Sequence, residues 1–225
     1  MPCGTAQRIG PRLRGGGFSV PDFPPQSGTC LVLGSAPCGM EDLALAQRLR
    51  PHAAVMVING ASVLTPADYV CSLSKESLLQ AACEQMERFD RKVTSHLPYP
   101  PLGRRVNHLY SEGEPVEEDQ GFASHIWPGT QSGATSSWCG VRILKRMGYT
   151  EIILCGVPLD HPGYAQIDTW RKPDRVESWA DPNASRNANY RLRLTDYIAE
   201  GEGEGVFSMS GYTREKLGYP QEQST

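Results

Sequence analysis

The sequence is dominated by short, continuous apolar runs that alternate with segments of helical periodicity. The clearest runs are residues 30–33, 53–58 and 151–155, and weaker ones occupy 68–73 and 206–209. A strand that is covered on both faces is apolar along its whole length, whereas a half-exposed strand alternates with polar residues. The runs therefore predict strands of a parallel sheet that is buried on both sides.

Apolar side chains recur at helical spacing over residues 41–50, 74–91 and 184–200, and a short closing helix is expected at 213–217. Small polar residues at 129–137 open a further amphipathic helix that a glycine, Gly148, should end. Strands that alternate with helices indicate a single α/β domain. We predict a Rossmann-like fold, with a mostly parallel sheet and helices on both faces.

The rest of the chain is expected to extend this domain. Residues 1–28 hold eleven Gly or Pro and are predicted to be a flexible leader. The nucleotide-binding domain is predicted over 29–220, with a tail at 221–225. Within it, residues 160–183 show no periodicity, and a loop this long is typically either functional or mobile. We take it as a lid-like loop, with a solvated loop that has no role as the alternative.

Composition limits the functions that the chain can have. Its 225 residues carry a net charge of −3, which argues against nucleic acid as a partner. We find no apolar window long enough to span a membrane and no secretory signal, so we expect a cytoplasmic protein. The seven cysteines include no CxxC pair, and we expect reduced thiols rather than disulfides or a zinc site.

Small, polar, glycine-bearing segments follow several predicted strands. They are residues 34–38, 59–62 and 156–160. Ligands of open α/β sheets bind beyond the carboxyl ends of the strands, and small side chains let a phosphate approach backbone amides. This pattern predicts a nucleotide or phosphate ligand. Taken singly, the segments at 34–38 and 59–62 are better explained as tight turns, so the prediction depends on all of them meeting at one edge of the sheet. The Walker and G-x-G-x-x-G motifs are missing.

The sequence offers a candidate general base near the same edge, for use if the chain transfers a group to an acceptor hydroxyl. His161 directly follows the 156–160 segment, and imidazole titrates near neutral pH. We therefore take His161 as the candidate base, with a surface histidine in a loop as the alternative. His125 is a second, weaker candidate.

Several of these segments resemble a known family. The phrase Ser132-Gly133, the helix after it and residues 147–157 resemble a signature of the bacterial lipooligosaccharide sialyltransferases. Related 6-hydroxymethylpterin pyrophosphokinase-like and motility accessory factor proteins are also similar. Their Gly-x-Gly-Pro-Ser turn corresponds to residues 34–38, and the Asn after their second strand corresponds to Asn59. The resemblance covers roughly residues 29–165 and implies a Rossmann-like domain that holds a nucleotide.

The resemblance also implies roles for individual residues. Residues 34–37 would lie along the nucleotide phosphate, Asn59 near the phosphate or sugar, and residues 131–133 at the base and ribose. Tyr164 would donate a hydrogen bond to the leaving group and is taken as catalytic together with His161. With Asp160 at the end of the late strand, the predicted nucleotide-binding residues are Gly34, Ser35, Ala36, Pro37, Asn59, Gln131, Ser132, Gly133 and Asp160.

The chain departs from the family pattern at two places. Ala36 replaces the second glycine of the turn and Cys38 replaces its serine. The catalytic histidine of the family would fall near residues 181–187, which contain no histidine. These departures bear on whether the chain is an active enzyme, so its enzyme status stays open.

The function predicted from the sequence is that of a metal-independent, glycosyltransferase-like transferase. Its donor would be a nucleotide-sugar of the CMP-sugar type, bound as a substrate, with no cofactor and no metal. The acceptor is unknown, and a homo-oligomer stays open. The alternatives are a pterin pyrophosphokinase-like, nucleotide-dependent transferase and a non-catalytic nucleotide-binding or interaction protein.

Overall fold

The computed structural model describes residues 24–73, 75–91, 93–97, 124–127, 130, 135–160 and 185–222. These residues contain one seven-stranded sheet with the strand order β5-β4-β3-β2-β1-β6-β7, and every pairing in it is parallel. The strands are β1 (Thr29–Leu33), β2 (Ala54–Ile58), β3 (Tyr69–Cys71), β4 (Thr94–Leu97), β5 (Ser124–Ile126), β6 (Glu151–Cys155) and β7 (Val206–Ser208). The predicted parallel α/β sheet is confirmed.

Helices cover both faces of the sheet, as the sequence predicts. The described helices are α1 (Gly39–Leu49), α2 (Lys75–Phe89), α3 (Ser136–Met147), α4 (Ser185–Ala199) and α5 (Gly211–Leu217), with a 3₁₀ helix at Asn59–Val63. Alternate residues of β1 supply the two halves of the core. Leu31 and Leu33 pack in the cluster that includes α1 and α2, whereas Cys30 and Val32 pack in the cluster that includes α3 and α4.

Helix α3 begins and ends at the residues that its sequence indicates. The Thr135 hydroxyl accepts a hydrogen bond from the Trp138 amide at 3.1 Å, which caps the helix N-terminus. Gly148 closes the other end with a φ of 104°, a left-handed conformation that glycine adopts at little cost. The helix has to end here, because strand β6 begins three residues later, at Glu151.

Two strands, β4 and β5, do not follow the apolar pattern and were not predicted. Both are short and polar, and residues 98–123 between them lie outside the described residues. His96 of β4 is nevertheless fully buried, and its Nδ1 accepts a hydrogen bond from Trp127 Nε1 at 2.9 Å. A polar side chain can occupy a core strand when its partner is buried with it. His125, the second candidate base, lies within β5.

Among the residues that the structure describes, five cysteines are free thiols, as expected. They are Cys30, Cys71, Cys139 and Cys155, which are buried, and Cys38, which is half-buried. Burial raises the pKa of the Cys139 thiol to about 12, so it stays neutral. The expectation is wrong for Cys83, which is disulfide-bonded. In the described part of the chain, each helix is too short or too polar to cross a membrane.

Candidate functional site

The strand order locates a crevice at the carboxyl edge of the sheet. The chain proceeds from β1 to β2 on one side, and later places β6 on the other side of β1. The strand order therefore reverses between β1 and β6, and such switch points are where open α/β sheets bind ligands. The loops that flank this point are residues 34–38 and 156–160, both of which the sequence predicts to be in the site.

The structure brings these two loops into direct contact. The Gly34 amide donates a hydrogen bond to the Cys155 carbonyl at 2.8 Å, and the Ala36 amide donates one to the Gly156 carbonyl at 3.2 Å. A Cβ on Gly34 would lie 2.5 Å from the Gly156 carbonyl oxygen. Close backbone packing thus explains Gly34, and two amides of the predicted phosphate turn already have partners. It stays a prediction that a nucleotide contacts this turn, which consists of Gly34, Ser35, Ala36 and Pro37.

A buried carboxylate that the sequence analysis did not single out joins three segments at this edge. Asp42, in the first turn of α1, is 5% exposed. Its Oδ2 accepts hydrogen bonds from the Gly156 amide at 2.9 Å and from the Ser210 hydroxyl at 2.6 Å. An acid in the first turn is common at helix N-termini for electrostatic reasons, so nothing in the sequence separates Asp42 from exposed Glu41.

Cys38 lies beside this carboxylate. Its Sγ is 3.5 Å from Ser210 Oγ. Burial raises the pKa of the Cys38 thiol, and the Ser210 hydrogen bond opposes the rise without cancelling it. The thiol is therefore neutral at physiological pH, and it contributes packing and a weak hydrogen bond rather than a thiolate nucleophile.

The loop after β6 is also held from α5. Thr213 is 1% exposed, and its hydroxyl donates to the Val157 carbonyl at 2.7 Å. Its amide donates to the Pro158 carbonyl at 3.3 Å. Asp160 lies against the start of α5, since a Cβ on Gly211 would come within 2.3 Å of its Oδ1. Asp160 therefore lies at the predicted edge of the sheet.

Asn59 is connected to the start of α3. It directly follows β2 with a φ of 49°, and its Nδ2 donates a hydrogen bond to Ser136 Oγ at 3.2 Å. Ser136 is the first residue of α3, the helix that follows Gln131, Ser132 and Gly133 in sequence. Those three residues, and the catalytic candidates His161 and Tyr164, lie outside the described residues.

A small cleft opens at this edge between α3, α4 and the loop after β6. Leu154, Val157 and Leu159 form its apolar side, while Thr135 and Ser137 line it from the start of α3. Tyr190 and Arg193 line it from α4, and Arg193 is exposed. Nothing in the sequence pattern indicated Tyr190 and Arg193, because which face of a helix borders a cleft depends on how that helix packs. The cleft thus combines an apolar floor, a helix N-terminus and a cation.

A cluster of aromatic and charged side chains along one wall of the cleft holds α4 against α3. The Trp138 and Tyr197 rings stack with centroids 5.4 Å apart, and the Arg142 guanidinium lies 4.6 Å from the Tyr197 centroid. Glu202 accepts hydrogen bonds from Trp138 Nε1 at 2.7 Å and from two Arg142 nitrogens at 2.8 and 2.9 Å. Burial alone would raise the pKa of Glu202, but these donors outweigh burial and hold it below the ordinary value.

Arg142 also contacts the residue that precedes segment 131–133, which is predicted to bind the nucleobase. Its Nη1 donates a hydrogen bond to the Thr130 carbonyl at 3.2 Å, directly before residues 131–133. The same side chain therefore contacts the cleft wall at Tyr197 and the chain that leads into that segment.

Comparison with known proteins bears on the fold. No protein-family model matches the sequence, and no curated protein matches it. Among solved structures, the MAf glycosyltransferase from Magnetospirillum magneticum AMB-1 matches 92% of this chain with a TM-score of 0.52 and 15% identity. The chain has a glycosyltransferase-like fold. The resemblance to motility accessory factor proteins is thus confirmed for the fold. The match spans 36% of the length of that glycosyltransferase.

Proposed function

We propose that this chain is a glycosyltransferase-like transferase that binds a CMP-type nucleotide-sugar in the cleft between α3 and α4 without a metal. The observation that carries the proposal is the composition of the cleft at the switch point. The N-terminus of α3 and Arg193 line it beside an apolar floor, and Asn59 is hydrogen-bonded to Ser136 at the start of that helix. The fold of the chain matches part of a glycosyltransferase.

Each side of the cleft suits one part of such a donor. The unpaired amides of a helix N-terminus and an arginine guanidinium both attract phosphate oxygens. An apolar floor with a few polar groups at its rim accommodates a base or a sugar ring. Asn59, which is bonded to Ser136 at the start of α3, is proposed to contact donor hydroxyls or phosphate oxygens. These groups neutralise a leaving phosphate without a divalent cation.

In the proposed reaction, an acceptor hydroxyl oxygen forms a bond to the anomeric carbon while the bond from that carbon to the nucleotide phosphate oxygen breaks. The bonding electrons leave with the nucleotide, whose phosphate becomes the anion that Arg193 and the α3 amides stabilise. His161 is proposed to take the acceptor proton, and Tyr164 to donate a hydrogen bond to the leaving phosphate. Both residues follow Asp160, which lies at this edge.

Thermal shift with a nucleotide panel tests this proposal. CMP in EDTA should raise Tm by about 5 °C or more at a hundredfold excess over Kd, since binding to the folded state alone stabilises it. Arg193→Ala should lose most of that shift. Arg191→Ala is the matched control, because Arg191 lies over the Tyr212 ring instead, 5.8 Å from its centroid.

Two other outcomes of the nucleotide panel would favour a different function. Stabilisation only by ATP or GTP with Mg²⁺ would favour the pyrophosphokinase-like alternative. No shift with any nucleotide would favour a non-catalytic interaction protein.

A further inference from the structure

Leu159 has a backbone conformation that its side chain disfavours. Its φ of 59° lies in the left-handed region, where the Cβ of most residues crowds the backbone. Among the described residues, only Asn59 and Asp90 are other non-glycine residues with positive φ. Asn and Asp tolerate this region because their short polar side chains bond locally. Leucine has no such compensation, so Leu159 is strained.

The fold holds Leu159 in place through the three residues before it. The Gly156 amide is bonded to Asp42, and the carbonyls of Val157 and Pro158 are both bonded to Thr213. A strained conformation persists when its surroundings determine it completely, and such residues cluster at ligand sites. Relaxation of Leu159 would require breaking these hydrogen bonds.

Burial of the Leu159 side chain does not fully offset the free-energy cost of this backbone conformation. It is half-buried and packs only at the margin of the core, where it lines the cleft beside Leu154 and Val157. A glycine would relieve the backbone at this position. A leucine at such a position is explained if its side chain contacts a ligand.

We propose that Leu159 is a positioning residue for the donor, held in the left-handed region so that its side chain forms the apolar wall of the cleft. This inference rests on the proposed function, because the ligand is the nucleotide-sugar assigned there. The strain itself is independent of any ligand.

Paired variants separate the effect of the backbone strain from the effect of the side chain. Leu159→Gly removes both the side chain and the strain, whereas Leu159→Ala removes the side chain alone. Asp90→Gly and Asp90→Ala are matched controls, since Asp90 has a φ of 52° at the end of α2 and does not line the cleft. Tm and the Kd for CMP are measured for all four variants and for the unmodified chain.

At each position, the Tm of the glycine variant should be about 2–4 °C above that of the alanine variant. In regular helices and strands the alanine variant is the more stable of the two. Both Leu159 variants should bind CMP about tenfold more weakly, as expected for loss of a partly buried apolar wall. Both Asp90 variants should bind CMP with unchanged affinity.

The inference is overturned if Leu159→Ala melts above Leu159→Gly, if the Leu159 variants keep full affinity, or if the Asp90 variants lose affinity equally. In these cases the unmodified chain still binds CMP, and the proposed function stands. If the unmodified chain binds no CMP, the proposed function fails and this inference fails with it.

Discussion

Asp42 illustrates how one buried side chain shapes the carboxyl edge. Asp42→Ala leaves the Gly156 amide and the Ser210 hydroxyl without their acceptor. We expect it to lower the free energy of unfolding by about 2–3 kcal/mol, the usual cost of losing hydrogen bonds to a buried charged group. Urea denaturation measures this loss.

Glu41→Ala is the control for Asp42→Ala, because Glu41 is the preceding residue and is exposed. It should change the free energy of unfolding by no more than about 0.5 kcal/mol. Equal losses in the two variants would contradict the assigned role of Asp42.

The sequence could locate single residues at the edge but could not state what each one does. Gly34 was predicted to let a phosphate approach, and the structure shows that its missing side chain makes room for the Gly156 carbonyl. Both requirements select glycine, so sequence alone cannot distinguish them. Asn59 was placed correctly at the end of β2, but its hydrogen bond to Ser136 depends on tertiary packing.

Helices α3 and α4 depend on Glu202 for their relative position. The pKa of Glu202 lies below the ordinary value, since its hydrogen bonds to Arg142 and Trp138 outweigh burial. A carboxyl with a lowered folded-state pKa stabilises the protein above its unfolded pKa, about 4.3, and that contribution is lost as pH falls through the folded value. Glu202→Gln should therefore be destabilising at neutral pH.

The stability difference between the unmodified chain and Glu202→Gln should shrink as pH falls from about 5 to about 3. Urea denaturation at several pH values measures it, and exposed Glu200, changed to Gln, is the control. A difference that stays constant over this range would show that the Glu202 charge does not hold α4 in place.

Elements with strong local signals were predictable, and those that depend on buried polar pairs were not. β6 begins and ends where its apolar run does, and the α3 terminus follows from Gly148. β4 was missed because Ser95 and His96 are polar although both are buried. The hydrogen bond between His96 and Trp127 joins residues on different elements and has no local signature.

For the whole molecule, topology fixes where a ligand should bind, and side chains determine which ligand. A mostly parallel sheet was expected from the alternating pattern, and so was the carboxyl edge as the site, whereas the adjacency of β1 and β6 comes from the structure alone. The contribution of α4 to the lining of the cleft was not expected. Tyr190 and Arg193 border the cleft only because Trp138 packs against Tyr197.

A crystal of the full chain soaked with CMP in EDTA would show the binding position and the donor chemistry together. We expect the nucleotide in the cleft between α3 and α4, with phosphate oxygens within hydrogen-bond distance of Arg193 or the first amides of α3 and the ring against Leu159. CMP bound elsewhere on the chain, or an empty cleft at saturating nucleotide, would contradict the proposed donor site.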